Sequence, residues 1–287
     1  MRFITYLHHG TPRAGLVDGD CVIDLHAACP DVPSDLRAAL RQDCDLHDAA
    51  RRALAGSAAR LPLAALAFAP VLTEPGKIVC LGLNYHEHAR EGGRDKPTYP
   101  WFFLRAASSL VGHGQPAQLP RASAQLDYEA ELAVVIGTPV PRNVARSQAL
   151  SHVFGYSCFN DISVRDFQKR TSQWTIGKNF DATGGFGPWL VTADELPPGG
   201  TDLRIQCRLN GAVMQDANTR DMIWDVAESI ALLSEAMTLE PGDVIAMGTP
   251  AGVGQSRKPS VWMREGDQVE IEIERIGTLC NPVRPQP

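Results

Sequence analysis

Hydrophobic and polar positions alternate in short runs along most of this chain, a period of two that belongs to strands rather than helices. Near the N-terminus RFITYLHHG, AGLVDGD and CVIDL predict three short strands, and Asp18-Gly19 supplies a hairpin turn. A change of period follows. From Ser34 to Leu54 apolar residues fall at Leu36, Leu40, Leu46 and Ala50, which predicts one helix. Pro70 and Glu74-Pro75-Gly76 then punctuate the chain, so a small N-terminal α/β domain is expected over 1–72 and a second domain over 73–287.

The second domain reads as strands almost throughout. KIVCLGLNY, AELAVVIG, GPWLVT, LRIQCRLNG, GDVIAMG and QVEIEIERIG are apolar or alternating runs bounded by Gly, Pro or Asp. Such a density of turn signals predicts an α+β, β-rich fold, a mixed sandwich or roll rather than a βαβ array. One helix is expected to interrupt it, Asp221 to Met237, with Ile223, Val226, Ile230, Leu233 and Met237 on one face and Pro241-Gly242 closing it.

Composition narrows the class. The 287 residues are 44% hydrophobic and 21% charged, an ordinary globular composition. Lys and Arg number 27 against 33 Asp and Glu, a formal charge of −6 that argues against a nucleic-acid or anionic-membrane surface. The greasiest run, Leu61 to Leu72, carries Pro62 and Pro70 and is too short for a membrane span. The N-terminal MRFITYLHHG lacks the apolar core of a signal peptide, so the expected location is the cytoplasm. Seven dispersed cysteines, never spaced C-x-x-C, are expected to be reduced.

The candidate chemistry begins in LDYEAELAVVIG. As one strand, it would set Asp127, Glu129 and Glu131 on a single face about 6–7 Å apart. An E-x-E pair alone suits a solvated edge. Here, though, AVVIG turns apolar on both faces, and carboxylates at the mouth of a buried strand need a partner such as a hard divalent cation. Asp161, where the strand-like HVFGYSCF ends, is either a third oxygen ligand or the cap of the next turn. In LNYHEHAREGG, a helix would bring His88 and Glu91 together at i and i+3, either as an oriented base or as part of an exposed polar face. HEHAR is not the zinc motif, since Arg90 replaces its second His, and Gly92 and Gly93 suit a mobile flap. GGFG and GTPAGVG lack a Walker ending and read as tight turns that let backbone approach a ligand. Trp101, Phe102, Phe103 and Trp174 either line a pocket or belong to the core, with at least half of them expected in the core.

Together and in this order, KIVCLGLNYHEHARE, LDYEAELAVVIG, FGYSCFNDISVRDFQ, GKNFDATGGFGPWLVT, LNGAVMQDANTRDMIWDV, LEPGDVIAMGTPAGVG and EGDQVEIEIERIGTLCN resemble the fumarylacetoacetate hydrolase family over roughly residues 77–283. The resemblance implies a mixed β-roll, usually dimeric. It implies a triad of Glu129, Glu131 and Asp161 for Mg²⁺, Mn²⁺ or Ca²⁺, a His88–Glu91 base pair on a flap, and an active-site Lys178. It also implies substrate contacts from Gln168 and Thr249, and from Arg105, which stands in FFLRA where many members have lysine. The implied activity is metal-assisted hydrolysis of a carbon-carbon bond in an acylpyruvate or related small anionic 2-keto acid. Decarboxylation of such acids, isomerisation of a hydroxymuconate-type acid, and a non-catalytic binding module are the alternatives.

Overall fold

The computed structural model describes residues 1–93 and 96–287. At its N-terminus β1 (Arg2–His8), β2 (Thr11–Asp18) and β3 (Cys21–Asp24) form the expected antiparallel meander. Asp18 pairs with Cys21 across a two-residue turn in which Gly19 takes φ 60°. The single helix expected over Ser34–Leu54 is instead two, α1 (Leu36–Arg41) and α2 (Leu46–Ala55). The break is chemical in origin. Asp43 enters the left-handed region at φ 54°, and the Asp45 carboxylate caps α2 by accepting from the Asp48 N–H at 2.8 Å. β4 (Arg60–Pro62) then returns beside β3.

The rest of the chain contributes β5 (Ile78–Gly82), α3 (His86–Glu91), β6 (Trp101–Arg105), β7 (Ala130–Ile136) and β8 (Val153–Asp161). Two short helices follow, α4 (Arg165–Gln168) and α5 (Thr175–Lys178), and then β9 (Gly184–Thr192), β10 (Arg204–Leu209) and β11 (Ala212–Asn218). The chain ends with α6 (Val226–Ala236), β12 (Val244–Ala246), β13 (Gln268–Ile273) and β14 (Gly277–Pro285). The helix expected from Asp221 starts later because the Asp225 side chain caps it at the Glu228 N–H, while Thr219–Asp221 forms a separate turn.

Among the described residues, eleven strands form one mixed sheet, ordered β4-β3-β2-β1-β9-β8-β7-β12-β5-β6, with Leu110–Val111 alongside β9. β11, β10, β13, β14 and Ala117–Leu119 form a second, five-stranded sheet. The fold is α+β and rich in strands. Alternation along the strands of the large sheet sends side chains to two different cores. Cys80, Ala133, Val135, Phe159 and Phe186 pack on one face with Leu36, Leu40, Leu46 and Ala50 of α1 and α2. Leu81, Leu132, Val134 and Cys158 pack on the other face with Ile205, Val269 and Ile271 of the second sheet and Ile230 of α6. Covered on both sides, every residue of β7 is buried, which is why AELAVVI carries apolar residues on both faces.

The N-terminal segment shares this sheet. Arg2 and Phe3 of β1 pair with Val191 and Leu190 of β9, and Thr5 Oγ1 donates to the Val71 carbonyl. No helix among the described residues is long and apolar enough to cross a membrane, and all seven cysteines are free.

Asp24 ties the N-terminal meander together. Its carboxylate accepts from Tyr6 Oη at 2.6 Å, Arg13 Nη2 at 2.8 Å and the Ala27 N–H at 2.8 Å. Burial alone would raise its pKa, but these donors outweigh burial and hold it below the ordinary 3.8. Asp24→Asn is therefore expected to cost about 1–3 kcal/mol in chemical denaturation at neutral pH. The wild-type advantage is complete above pH 3.8 and shrinks as the pH falls through the depressed native value.

A carboxylate-lined cavity at one rim of the sheet

Strand directions gather the chemistry at a single rim. β12 runs parallel to β5 and antiparallel to β7, so the C-terminal ends of β5, β8 and β12 lie beside the N-terminal ends of β6 and β7. Gly82, Asp161, the 247–249 turn, Trp101 and Glu131 therefore meet at one edge. Glu131 pairs in register with Phe159, two residues before Asp161, so Glu131 and Asp161 point to the same face.

Glu129 reaches them through a break in the expected strand. Only Leu126–Asp127 and Ala130–Ile136 are extended ladder, and the chain between them is tied by the Glu129 N–H donating to Asn160 Oδ1 at 3.0 Å. The Asp161 N–H in turn donates to the Glu129 carbonyl at 2.9 Å. The break separates the three acids that alternation had placed on one face. Asp127 turns away to accept from Arg165 Nε at 2.8 Å and from the N–H groups of Tyr128, Gly254 and Gln255. It thus holds the GTPAGVG turn rather than joining the other two. The carboxylates of Glu129, Glu131 and Asp161 come together instead, with one oxygen of each within 4.8 Å of the others.

Three buried cations surround this triad. Lys178 Nζ lies 2.7 Å from Glu129 Oε2 and 2.5 Å from Asp161 Oδ2. Arg165 Nη1 lies 2.6 Å from Glu129 Oε1, and Arg105 Nη1 lies 2.5 Å from Asp161 Oδ1. Burial alone would raise the Glu129 carboxyl, but Lys178 and Arg165 drive it far below its ordinary range. Burial opposes the Lys178 charge too, yet Asp161 and Glu129 raise its pKa and keep the ammonium. Glu131 is the exception. It has no ion pair among the described residues, accepts the Gly248 N–H at 2.8 Å, and is pushed well above the carboxylate range by burial and by its two acidic neighbours. Gly248 can deliver that N–H because it sits at φ 85°, where a Cβ would also stand 2.7 Å from Asn84 Cβ.

Glu129 and Glu131 of the triad line a cavity of about 880 Å³, with His88, Gln168, Lys178, Thr249 and Arg165 also in its wall, while Asp161 lies buried behind them. His88 and Glu91 lie on α3, as expected, with Nδ1 3.3 Å from Glu91 Oε2. Glu91 is anchored in turn by the Gly252 N–H at 2.9 Å. Burial raises the Glu91 carboxyl, but His88 and Gly252 outweigh it and keep it below the ordinary 4.5. Gln168 and Thr249 reach the wall with their oxygens already engaged, Gln168 Oε1 by Arg165 and Thr249 Oγ1 by Gln215. All four aromatics, Trp101, Phe102, Phe103 and Trp174, line the cavity, and Phe102 and Phe103, half of them, also pack against the two cores as expected.

Arg105 departs from its expected place at the substrate. Its side chain is fully buried behind Asp161, and its remaining nitrogens donate to Ser109 Oγ and Thr183 Oγ1, so it braces a carboxylate and does not line the cavity. Sequence reasoning also missed Arg165, Asn84 and the anchoring part of Asp127. Asn84 joins the end of β5 to the 247 turn by donating to the carbonyls of Trp224 and Met247. A hint for Arg165 was present in its position directly after the buried strand pair Ser163-Val164, where an unpaired guanidinium would be costly.

Buried, converging carboxylate oxygens suit a hard divalent cation, and Glu131, the member with no cationic partner, supplies the unmet charge such an ion would neutralise. Fold and site thus define a cavity with Glu129 and Glu131 of a buried carboxylate triad in its wall. The chain belongs to the fumarylacetoacetate hydrolase family, a family of enzymes, since residues 77–284 match its model, described as fumarylacetoacetate (FAA) hydrolase C-terminal. It is 41% identical over 276 residues to the human mitochondrial oxaloacetate tautomerase FAHD2A, covering 95% of this chain and 87% of that one. Among solved structures it resembles maleylpyruvate hydrolase from Sphingobium sp. SYK-6, in complex with manganese(II) and pyruvate, at 33% identity and TM-score 0.82 over 100% of both chains. It also resembles 5-carboxymethyl-2-hydroxymuconate delta-isomerase from Mycobacterium smegmatis, at 30% identity and TM-score 0.78, again over 100% of both.

The unpaired Glu131 yields a measurable asymmetry. Glu131→Gln is expected to leave the metal-free protein as stable as the wild type or more so, because a neutral amide replaces a carboxyl whose ionisation burial and its two acidic neighbours already disfavour. Mn²⁺ or Mg²⁺ at 100 times Kd should raise wild-type stability by about 2.7 kcal/mol and leave the variant unmoved, as read by thermal denaturation with and without the ion.

Proposed function

We propose that the protein is a divalent-cation-dependent tautomerase that interconverts the enol and keto forms of a small 2-oxo dicarboxylic acid of the oxaloacetate type. The observation that carries this reading is the placement of the carboxylate-held His88 in the same cavity wall as Glu129, Glu131 and Lys178. A proton carrier and a site for enolate charge thereby face one ligand. The human tautomerase at 41% identity supports the choice of substrate.

Glu129, Glu131 and Asp161 would hold Mg²⁺ or Mn²⁺, which would supply Lewis acidity toward a bound 2-oxo acid. Ionised Glu91 accepts from His88 Nδ1, which fixes the tautomer and leaves Nε2 as the base that moves a proton between carbon 3 and the enol oxygen. The Lys178 ammonium stabilises the oxyanion that develops on that oxygen. Gln168, its oxygen held by Arg165, turns its amide N–H groups to the ligand carboxylate, and Thr249 completes the carboxylate contact. Arg105 holds the Asp161 carboxylate in place.

A second reading, hydrolysis of an acylpyruvate carbon-carbon bond, is favoured by the likeness to maleylpyruvate hydrolase. In it His88 deprotonates water rather than substrate. The two readings part in labelled water, since only hydrolysis places solvent oxygen in a new carboxylate. With Mg²⁺ present, the wild type is expected to accelerate the decay of oxaloacetate enol absorbance, and His88→Ala to lower kcat by about 10²–10⁴. Decay at the uncatalysed rate, together with labelled carboxylate from acylpyruvates, would replace the tautomerase reading with the hydrolase one.

A further inference from the structure

The cavity has a second end that a four-carbon dicarboxylate does not use. β6 pairs with β5 so that Trp101 stands opposite Gly82 and Phe103 opposite Cys80, and alternation puts Trp101, Phe103 and Arg105 on the face that carries Glu131 and Asp161. Trp174, just before α5, packs across them. Its ring centroid is 5.6 Å from Phe103 in an edge-to-face arrangement and 5.4 Å from Trp101. Gly82 makes the room, because a Cβ there would stand 2.3 Å from Trp174 Cζ3. The wall is continuous with the charged end: Lys178 Nζ, bonded to Glu129 and Asp161, lies 5.2 Å from the Phe103 ring centroid.

Three aromatic side chains thus line the cavity from the carboxylate triad outward, with Trp101 38% exposed and Phe103 and Trp174 half-buried. Apolar surface held open to water is unfavourable by roughly 25 cal/mol per Å², and a ligand that covers it recovers that free energy. Oxaloacetate has no apolar surface to offer. A planar ring attached to carbon 3 of a 2-oxo acid does, and it can make the offset or edge-to-face contacts that aromatic rings favour.

We propose that Trp101, Phe103 and Trp174 form a subsite for the aryl arm of a 2-oxo acid, giving the protein an arylpyruvate enol–keto tautomerase activity beside that on oxaloacetate. The proposal rests on the reading above that the carboxylate end binds the 2-oxo acid head. The reaction is an isomerisation and needs no co-reactant. The enol O–H bond breaks, a C–H bond forms at carbon 3, and His88 carries the proton between them.

The test uses the full chain with Mg²⁺ and compares kcat/KM for the enol forms of phenylpyruvate and oxaloacetate in the wild type, Trp174→Ala, Trp174→Phe and Gly82→Val. The wild type is expected to turn over both. Trp174→Ala, and Gly82→Val through displacement of the indole, should lower the phenylpyruvate-to-oxaloacetate ratio at least tenfold, mainly through KM, while Trp174→Phe keeps most of it. An unchanged ratio in both of the first two variants, or turnover of oxaloacetate alone by the wild type, overturns the subsite and leaves the proposed function standing. If the wild type turns over neither acid, the proposed function and the arylpyruvate activity both fall. Calorimetric titration with Mg²⁺ present then decides the subsite: phenylpyruvate binding at least tenfold tighter than pyruvate sustains it, and equal affinity overturns it.

Discussion

Charge removed from water is tolerable only in near balance, and this constraint shapes the whole functional rim. Asp127, Glu129, Glu131 and Asp161 are buried among Arg105, Arg165 and Lys178, all of them with side chains almost closed to solvent. Each pairing joins a different element. Arg105 ties β6 to the end of β8, Lys178 ties α5 to β8 and to the break before β7, and Arg165 ties α4 to that break and, through Asp127, to the GTPAGVG turn. The geometry of the rim follows from the need to match charges. Four carboxyls against three cations leave Glu131 without a cationic partner, and burial with two acidic neighbours disfavours its charged form. A divalent cation held there would favour that charged form and turn the local balance positive, although the chain as a whole carries −6.

The same rim separates two kinds of surface within one cavity. Toward the triad the walls are charged and hydrogen-bonded, and their donors are fixed by partners behind them: Arg165 behind Gln168, Gln215 behind Thr249, Gly252 behind Glu91. Such support holds side chains in place before a ligand arrives, which favours stabilisation of developing charge over reorganisation. Toward Trp101 and Trp174 the wall carries aromatic rings beside the polar Thr171, Ser172 and Gln173. α3 lies at the junction, carrying His88 into the cavity with Glu91 beside it, so the proposed proton carrier is set by a helix of only six residues whose Glu91 is anchored to the Gly252 N–H.

Much of this was legible in the chain. Alternating or apolar runs marked β1–β3, β5, β7–β10, β12 and β13 but not β4, β6, β11 or β14, the apolar continuation of β7 marked a strand covered on both faces, and the i and i+3 spacing of His88 and Glu91 placed that pair on one helix face. Errors arose where a local rule was overridden by a partner distant in sequence. Strand alternation grouped Asp127 with Glu129 and Glu131, but Arg165 and the 254–255 N–H groups claim Asp127 and break the strand. Arg105 was expected to meet a ligand because its fork suits a carboxylate; the carboxylate it meets is Asp161.

The sequence by itself determined most of the long strands and the identity of the acids and bases, because propensity, alternation and capping act over a few residues. Only the tertiary structure decided which charges face one another. The deciding pairs are 17 to 56 positions apart, and they meet because β5, β7, β8 and β12 have their ends at the same rim. Charge pairing is a matter of distance in space, and no short-range pattern along the chain encodes it.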